Sequence, residues 1–151
     1  MKTPYVVLCE YHPSREPWRA WRIGRELTAI TGKLGLRPHV DAVHGAQETS
    51  SWCSPELHAE VRRFTQAHAQ GEGWHQDGDL KPGSGMDHAQ VLWCNVNPTQ
   101  FQWNGKVYQP KPFEVVIARN LGCYHRRPPD APRERWVFRQ RVALPRFISL
   151  V

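Results

Sequence analysis

No stretch of this 151-residue chain approaches the roughly 18 consecutive apolar residues that a membrane-spanning helix requires. The opening apolar run, Tyr5 to Cys9, is cut short by Glu10 and His12 and is too brief for a secretory signal. A cytoplasmic protein with no membrane contact is therefore expected. No C-x-x-C pair occurs either. Cys9, Cys53, Cys94 and Cys123 are widely separated, which excludes a zinc knuckle and predicts free thiols. Asp77-Gly78-Asp79 lacks the remaining ligands of a calcium loop. No internal repeat, low-complexity tract or second domain is visible, so residues 1–151 are read as one domain.

Acidic side chains are scarce toward the C-terminus. Residues 101–151 carry ten basic and three acidic side chains, whereas residues 51–100 carry three basic and six acidic ones. Seven arginines lie between Arg119 and Arg141. Such a basic surface can attract a nucleic acid or another polyanion, and it also fits a solvated face with one or two arginines used internally. A hydrophobic share of 40% with seven tryptophans argues for a packed globule rather than a disordered chain. Scattered prolines and glycines point to many turns and short elements.

Tyr5 to Cys9 reads as a short buried strand. Ser14 as N-cap and Pro17 in the first turn predict a helix over about residues 16–31, with Trp18, Trp21, Ile23, Leu27 and Ile30 at helical spacing and arginines between them. Residues 37–53 read as loop. Ser54 as cap, Pro55 at the first position and the stripe Leu57, Val61, Phe64 predict a second helix over 55–69. From Gly73 the texture changes to strands: Gly73–Asp77, His88–Asn97, Lys106–Tyr108, Phe113–Ala118, Cys123–His125 and Arg135–Val142, with a turn region over 98–105. The expectation is a helical N-terminal support, residues 1–72, behind an antiparallel β sandwich or barrel over 73–151.

Two residues in a strand put His75 and Asp77 on one face, because side chains alternate with period two. A third ligand can come from His125, remote in sequence, after a buried strand and a tight turn. Two imidazoles and a carboxylate form the facial ligand set of an Fe(II) site that leaves three positions open for a bidentate co-substrate and dioxygen. His88 is the alternative third ligand, in a zinc-type site. Arg135 leads the last strand and can pair bidentately with a carboxylate; Arg139 stands on the same face and competes for that role. Trp93 and Asn95 share a face of their strand and would line the co-substrate pocket if that face is inward.

The segment from about Trp74 to Val142 resembles the core of the Fe(II)/2-oxoglutarate-dependent dioxygenases: His-x-Asp, a strand ending in Asn95-Val96-Asn97-Pro98, a buried strand, a distal His and then Arg. The resemblance implies a mainly β fold, a double-stranded β-helix (jelly-roll, cupin-like) core backed by N-terminal helices. It implies His75, Asp77 and His125 as catalytic iron ligands and Arg135 as the arginine for 2-oxoglutarate, which is decarboxylated to succinate while a substrate is hydroxylated. The tyrosine that many members carry after His-x-Asp is replaced here by Asn95 or Trp93. The substrate class stays open among nucleic acid, nucleotide, protein side chain and small metabolite. Two other functions compete: a non-catalytic jelly-roll module whose arginines hold an anion, and a basic nucleic-acid-binding protein using Trp18, Trp21 and arginines.

Overall fold

A computed structural model describes residues 3–39, 51–64, 73–76, 88–119, 123–129 and 134–150. Nine strands and one helix occur among them: β1 (Tyr5–Glu10), α1 (Ala20–Lys33), β2 (Trp52–Ser54), β3 (Ala59–Phe64), β4 (His88–Cys94), β5 (Gln100–Trp103), β6 (Lys106–Tyr108), β7 (Glu114–Arg119), β8 (Tyr124–Arg126) and β9 (Arg135–Ala143). A larger antiparallel sheet has the order β1-β7-β4-β9-β3-β2, and a smaller one has β6-β5-β8. His75 adds a further bridge on the outer side of β8, pairing with His125. From there the chain alternates between sheets: β4 in the larger, β5 and β6 in the smaller, β7 back, β8 across, β9 back. No helix of the described residues is long and apolar enough to cross a membrane.

The larger sheet separates two apolar environments. Directly paired residues share a face, so the register Val61↔Phe138, Trp93↔Phe138 and Trp93↔Val115 defines one side. Those side chains pack with Ile23 and Leu27 of α1 and with Tyr11 and Trp136 into the main core. Leu92, Val116 and Ala118 point the other way, onto Phe101 and Cys123 of the smaller sheet and its approach. Tyr5 meets Phe101 there with ring centroids 5.3 Å apart. Every residue of β4 is buried, because it is the strand that both environments share.

Helix α1 forms where expected but starts later. Its N-cap is Arg19, with no side-chain cap bond, and Ser14 lies outside it. Aromatic packing explains the shift: Trp18, expected on the helix, lies before it and sets its ring against Trp136, Phe113 and Trp93 at 6.1–6.5 Å, holding the preceding segment in an extended path. The buried stripe Ile23, Gly24, Leu27, Thr31 faces the sheet. Gly24 is needed for that approach, since a Cβ there would meet Trp52 at 2.5 Å. Thr31 Oγ1 reaches Gln140 Oε1 (2.8 Å), and Gln140 in turn donates to the Leu57 carbonyl (3.4 Å). These polar contacts lie on the core side of β9.

Two expectations are corrected. The second helix is instead the hairpin β2–β3, whose connection ends at His58 with φ 47°. Leu57, Val61 and Phe64 fit a helical stripe, but Ala59-Glu60-Val61-Arg62 also alternates, and six residues of ladder with β9 decide for the strand. Residues 65–70 lie outside the described residues. The turn region 98–105 also contains a strand, β5, and only Asn104-Gly105 turns tightly into β6. Both residues have positive φ (51° and 72°), as a two-residue type I′ hairpin needs.

Candidate functional site

His75 and His125 are 50 residues apart in sequence and directly opposite in space. Each donates its main-chain N–H to the other's carbonyl, at 3.0 and 2.9 Å. Their rings meet edge-on with centroids 4.6 Å apart. His125 also pairs with Phe101 across the other side of β8, and Phe101 is buried between the sheets. The shared register turns all three rings toward the larger sheet. His75 Nδ1 lies 2.7 Å from the Gly73 carbonyl. A carbonyl only accepts, so Nδ1–H is the donor, and the neutral ring keeps its lone pair on Nε2. Ring separation and tautomer together suit two nitrogens at about 2 Å from one ion.

Asp77 lies outside the described residues. Among the described residues no three His, Cys, Asp or Glu side chains gather to hold a metal. The alternative ligand His88 belongs elsewhere: it is fully buried on β4 and stacks on His39, with centroids 4.8 Å apart and planes 19° apart. The structure thus brings His75 to His125 and not to His88.

The two histidines line a cavity of about 270 Å³ between the sheets. Arg135, Val137 and Arg139 of β9 line it too, as expected for alternate residues of one strand. Arg135 is 3% exposed. Its Nε–H donates to the Asn97 carbonyl at 2.9 Å, and an Nη2–H points to Cys94 Sγ at 3.4 Å. Burial pushes the Cys94 thiol up from its ordinary 9.0, outweighing the opposing pull of Arg135. The thiol is neutral near pH 7, so neither partner cancels the guanidinium charge. Among the described residues, Arg135 is thus a buried, oriented cation whose hydrogen-bond partners are both neutral.

Arg139 differs. It pairs with Glu60 Oε1, and its side chain is 41% exposed. Arg62 approaches the other oxygen, Glu60 Oε2, at 3.5 Å. The cavity walls hold Arg62, Arg127, Arg135 and Arg139 against Glu60 as their one carboxylate among the described residues. Arg127 also sits over the Phe64 ring at 5.5 Å.

Trp93 and Asn95 do not line the cavity, which corrects the placement expected for them. Their face of β4 is the helix side, where Trp93 Nε1–H donates to the Tyr11 carbonyl (3.0 Å) within the main core. Asn95 Oδ1 accepts the main-chain N–H of Trp136 at 2.7 Å, fixing the start of β9 beside Arg135. The neighbours on the opposite face, Gln90 and Leu92, are the lining residues. Glu60, Arg62 and Phe64 were missed as well, because they alternate inward only once β3 is a strand. No protein-family profile and no curated protein matches the chain.

Proposed function

We propose that this protein is a non-heme iron oxygenase that couples 2-oxoglutarate decarboxylation to hydroxylation of a substrate. The observation that carries the reading is the backbone pairing of His75 with His125 at the wall of a cavity that also holds buried Arg135. In this reading His75, His125 and Asp77 hold Fe(II), and the Gly73 carbonyl keeps the His75 tautomer that presents Nε2. When bound, Fe(II) with 2-oxoglutarate and dioxygen supplies the oxidising power, leaving succinate, carbon dioxide and the hydroxylated substrate. Arg135 takes the far carboxylate of 2-oxoglutarate as a bidentate, charge-assisted pair, with its fork set by Asn97 and Cys94. Arg139, held by Glu60, is left for another anion. Phe64, Leu92 and Val137 give the wall its apolar share and limit water around the co-substrate.

The alternation of successive strands between two facing sheets supports the finer fold, a jelly-roll (double-stranded β-helix) with β1 and β2 as added edges. All four cysteines are free, in keeping with a reducing, cytoplasmic setting. The test is anaerobic addition of Fe(II) followed by 2-oxoglutarate. A visible metal-to-ligand charge-transfer band, absent in His75→Ala, is expected. If iron binds and no band or succinate forms on admitting air, the non-catalytic anion-binding module takes its place, with Arg135 holding some other carboxylate.

A further inference from the structure

We infer that the substrate of this site carries a phosphate group, bound by Arg62 and Arg139 in place of the Glu60 carboxylate. The inference rests on the oxygenase reading for the word substrate, but the anion site itself stands on separate residues. Glu60 is a side chain 13% exposed, with one oxygen on each of two guanidiniums: Oε1 on Arg139 and Oε2 on Arg62. Two cations positioned to take two oxygens of one anion are the arrangement that a tetrahedral oxyanion requires. Glu60 cancels only one of the two charges, so among the described residues an approaching anion meets a net positive wall.

The geometry around the pair gives a direction. Arg139 and Arg141 follow Arg135 along one face of β9, since Leu92↔Arg139 and Gln90↔Arg141 are direct pairs and Leu92 and Gln90 both face the cavity. At about 3.4 Å per residue, the backbone of Arg139 stands roughly 14 Å along the strand from that of Arg135. One guanidinium therefore serves the buried co-substrate end, and the Arg62–Glu60–Arg139 cluster serves a second, more exposed end. Arg141 continues the row beyond the cavity, half-buried. The shared chemistry is a phosphate oxyanion, whether on a free nucleotide or within a single-stranded nucleic acid.

The experiment is calorimetric titration of the full chain with inorganic phosphate, AMP and a short single-stranded oligonucleotide, each with and without Mn(II) and 2-oxoglutarate. At least one phosphate probe should bind. Arg139→Gln and Arg62→Gln should each weaken that binding at least tenfold. Glu60→Gln, which removes the internal competitor, should tighten it several-fold. A gain of affinity cannot come from misfolding, so this variant keeps the inference falsifiable if the arginine variants fold poorly. Preference for AMP identifies a nucleotide, and preference for the oligonucleotide, with a steep loss of affinity in salt, identifies a nucleic acid. Failure of all three probes, or no tightening in Glu60→Gln, overturns the inference. The oxygenase reading fails separately: if phosphate binds as described while Mn(II) and 2-oxoglutarate do not, the anion site remains and the iron chemistry goes.

Discussion

Replacing Arg135 by methionine separates a residue kept for its ligand from one kept for the fold. The side chain is 3% exposed, and its described partners are the Asn97 carbonyl at 2.9 Å and the neutral Cys94 thiol at 3.4 Å. Losing the charged hydrogen bond to Asn97 should cost about 1.5–3 kcal/mol, and the sulfur contact is too long to add much. Against that, a guanidinium held away from water, with no counter-charge among the described residues, carries a desolvation penalty of roughly several kcal/mol. Methionine fills a similar shape with no charge. The two effects nearly cancel, so Arg135→Met should leave the unfolding free energy within about 1 kcal/mol of the parent, or raise it. In the same variant, loss of a bidentate charge-assisted partner should weaken 2-oxoglutarate by roughly 30- to 1000-fold, about 2–4 kcal/mol. Urea unfolding and anaerobic 2-oxoglutarate titration of the Fe(II) protein measure the two sides. A variant more than about 2 kcal/mol less stable, with 2-oxoglutarate affinity intact, would show Arg135 to be a structural bolt. If Arg139→Met instead loses the co-substrate, the roles of the two arginines along β9 are reversed.

Other expectations follow from the same geometry. His75→Ala should abolish stoichiometric Fe(II) binding, while His88→Ala, whose ring stacks on His39, should keep it; equal loss in both would refute the ligand assignment. Gly24→Ala should gain about 1 kcal/mol in helix propensity and lose roughly 1–3 kcal/mol through the clash with Trp52, for a net destabilisation visible in thermal melts. Folding raises the proton affinity of the Cys9, Cys94 and Cys123 thiols and of the Tyr11 hydroxyl, chiefly by burial. For groups whose folded pKa is raised, the stabilisation is complete below the ordinary value and fades above it. The urea midpoint attributable to these groups should therefore hold flat near neutrality and fall as pH rises past about 9.

Strands β4, β7 and β9 were legible in the sequence because β-branched and aromatic runs between turn residues leave little else to form. The facing of His75 and His125 was legible only as a demand of chemistry, since the residues between them include no signal for pairing. The inward face of β4 was not legible at all. All seven residues are buried, so the usual contrast between wet and dry sides, from which a face is read, is absent. Sequence alone therefore leaves open whether Trp93 and Asn95 face inward, and it is Gln90 and Leu92 that line the cavity. The β2–β3 hairpin was hidden for the opposite reason: Leu57, Val61 and Phe64 satisfy the helical period, and only the partner strand β9 breaks the tie.

Strand β9 divides its labour by parity. Residues 136, 138, 140 and 142 are buried on the helix side, while Arg135, Val137 and Arg139 line the cavity. Substitutions on the cavity side of such a strand can change the chemistry of the cavity wall without altering the side chains that pack against the helix. A combinatorial library confined to the odd positions of β9 and the even positions of β3 would sample new binding chemistries over an unchanged hydrophobic framework.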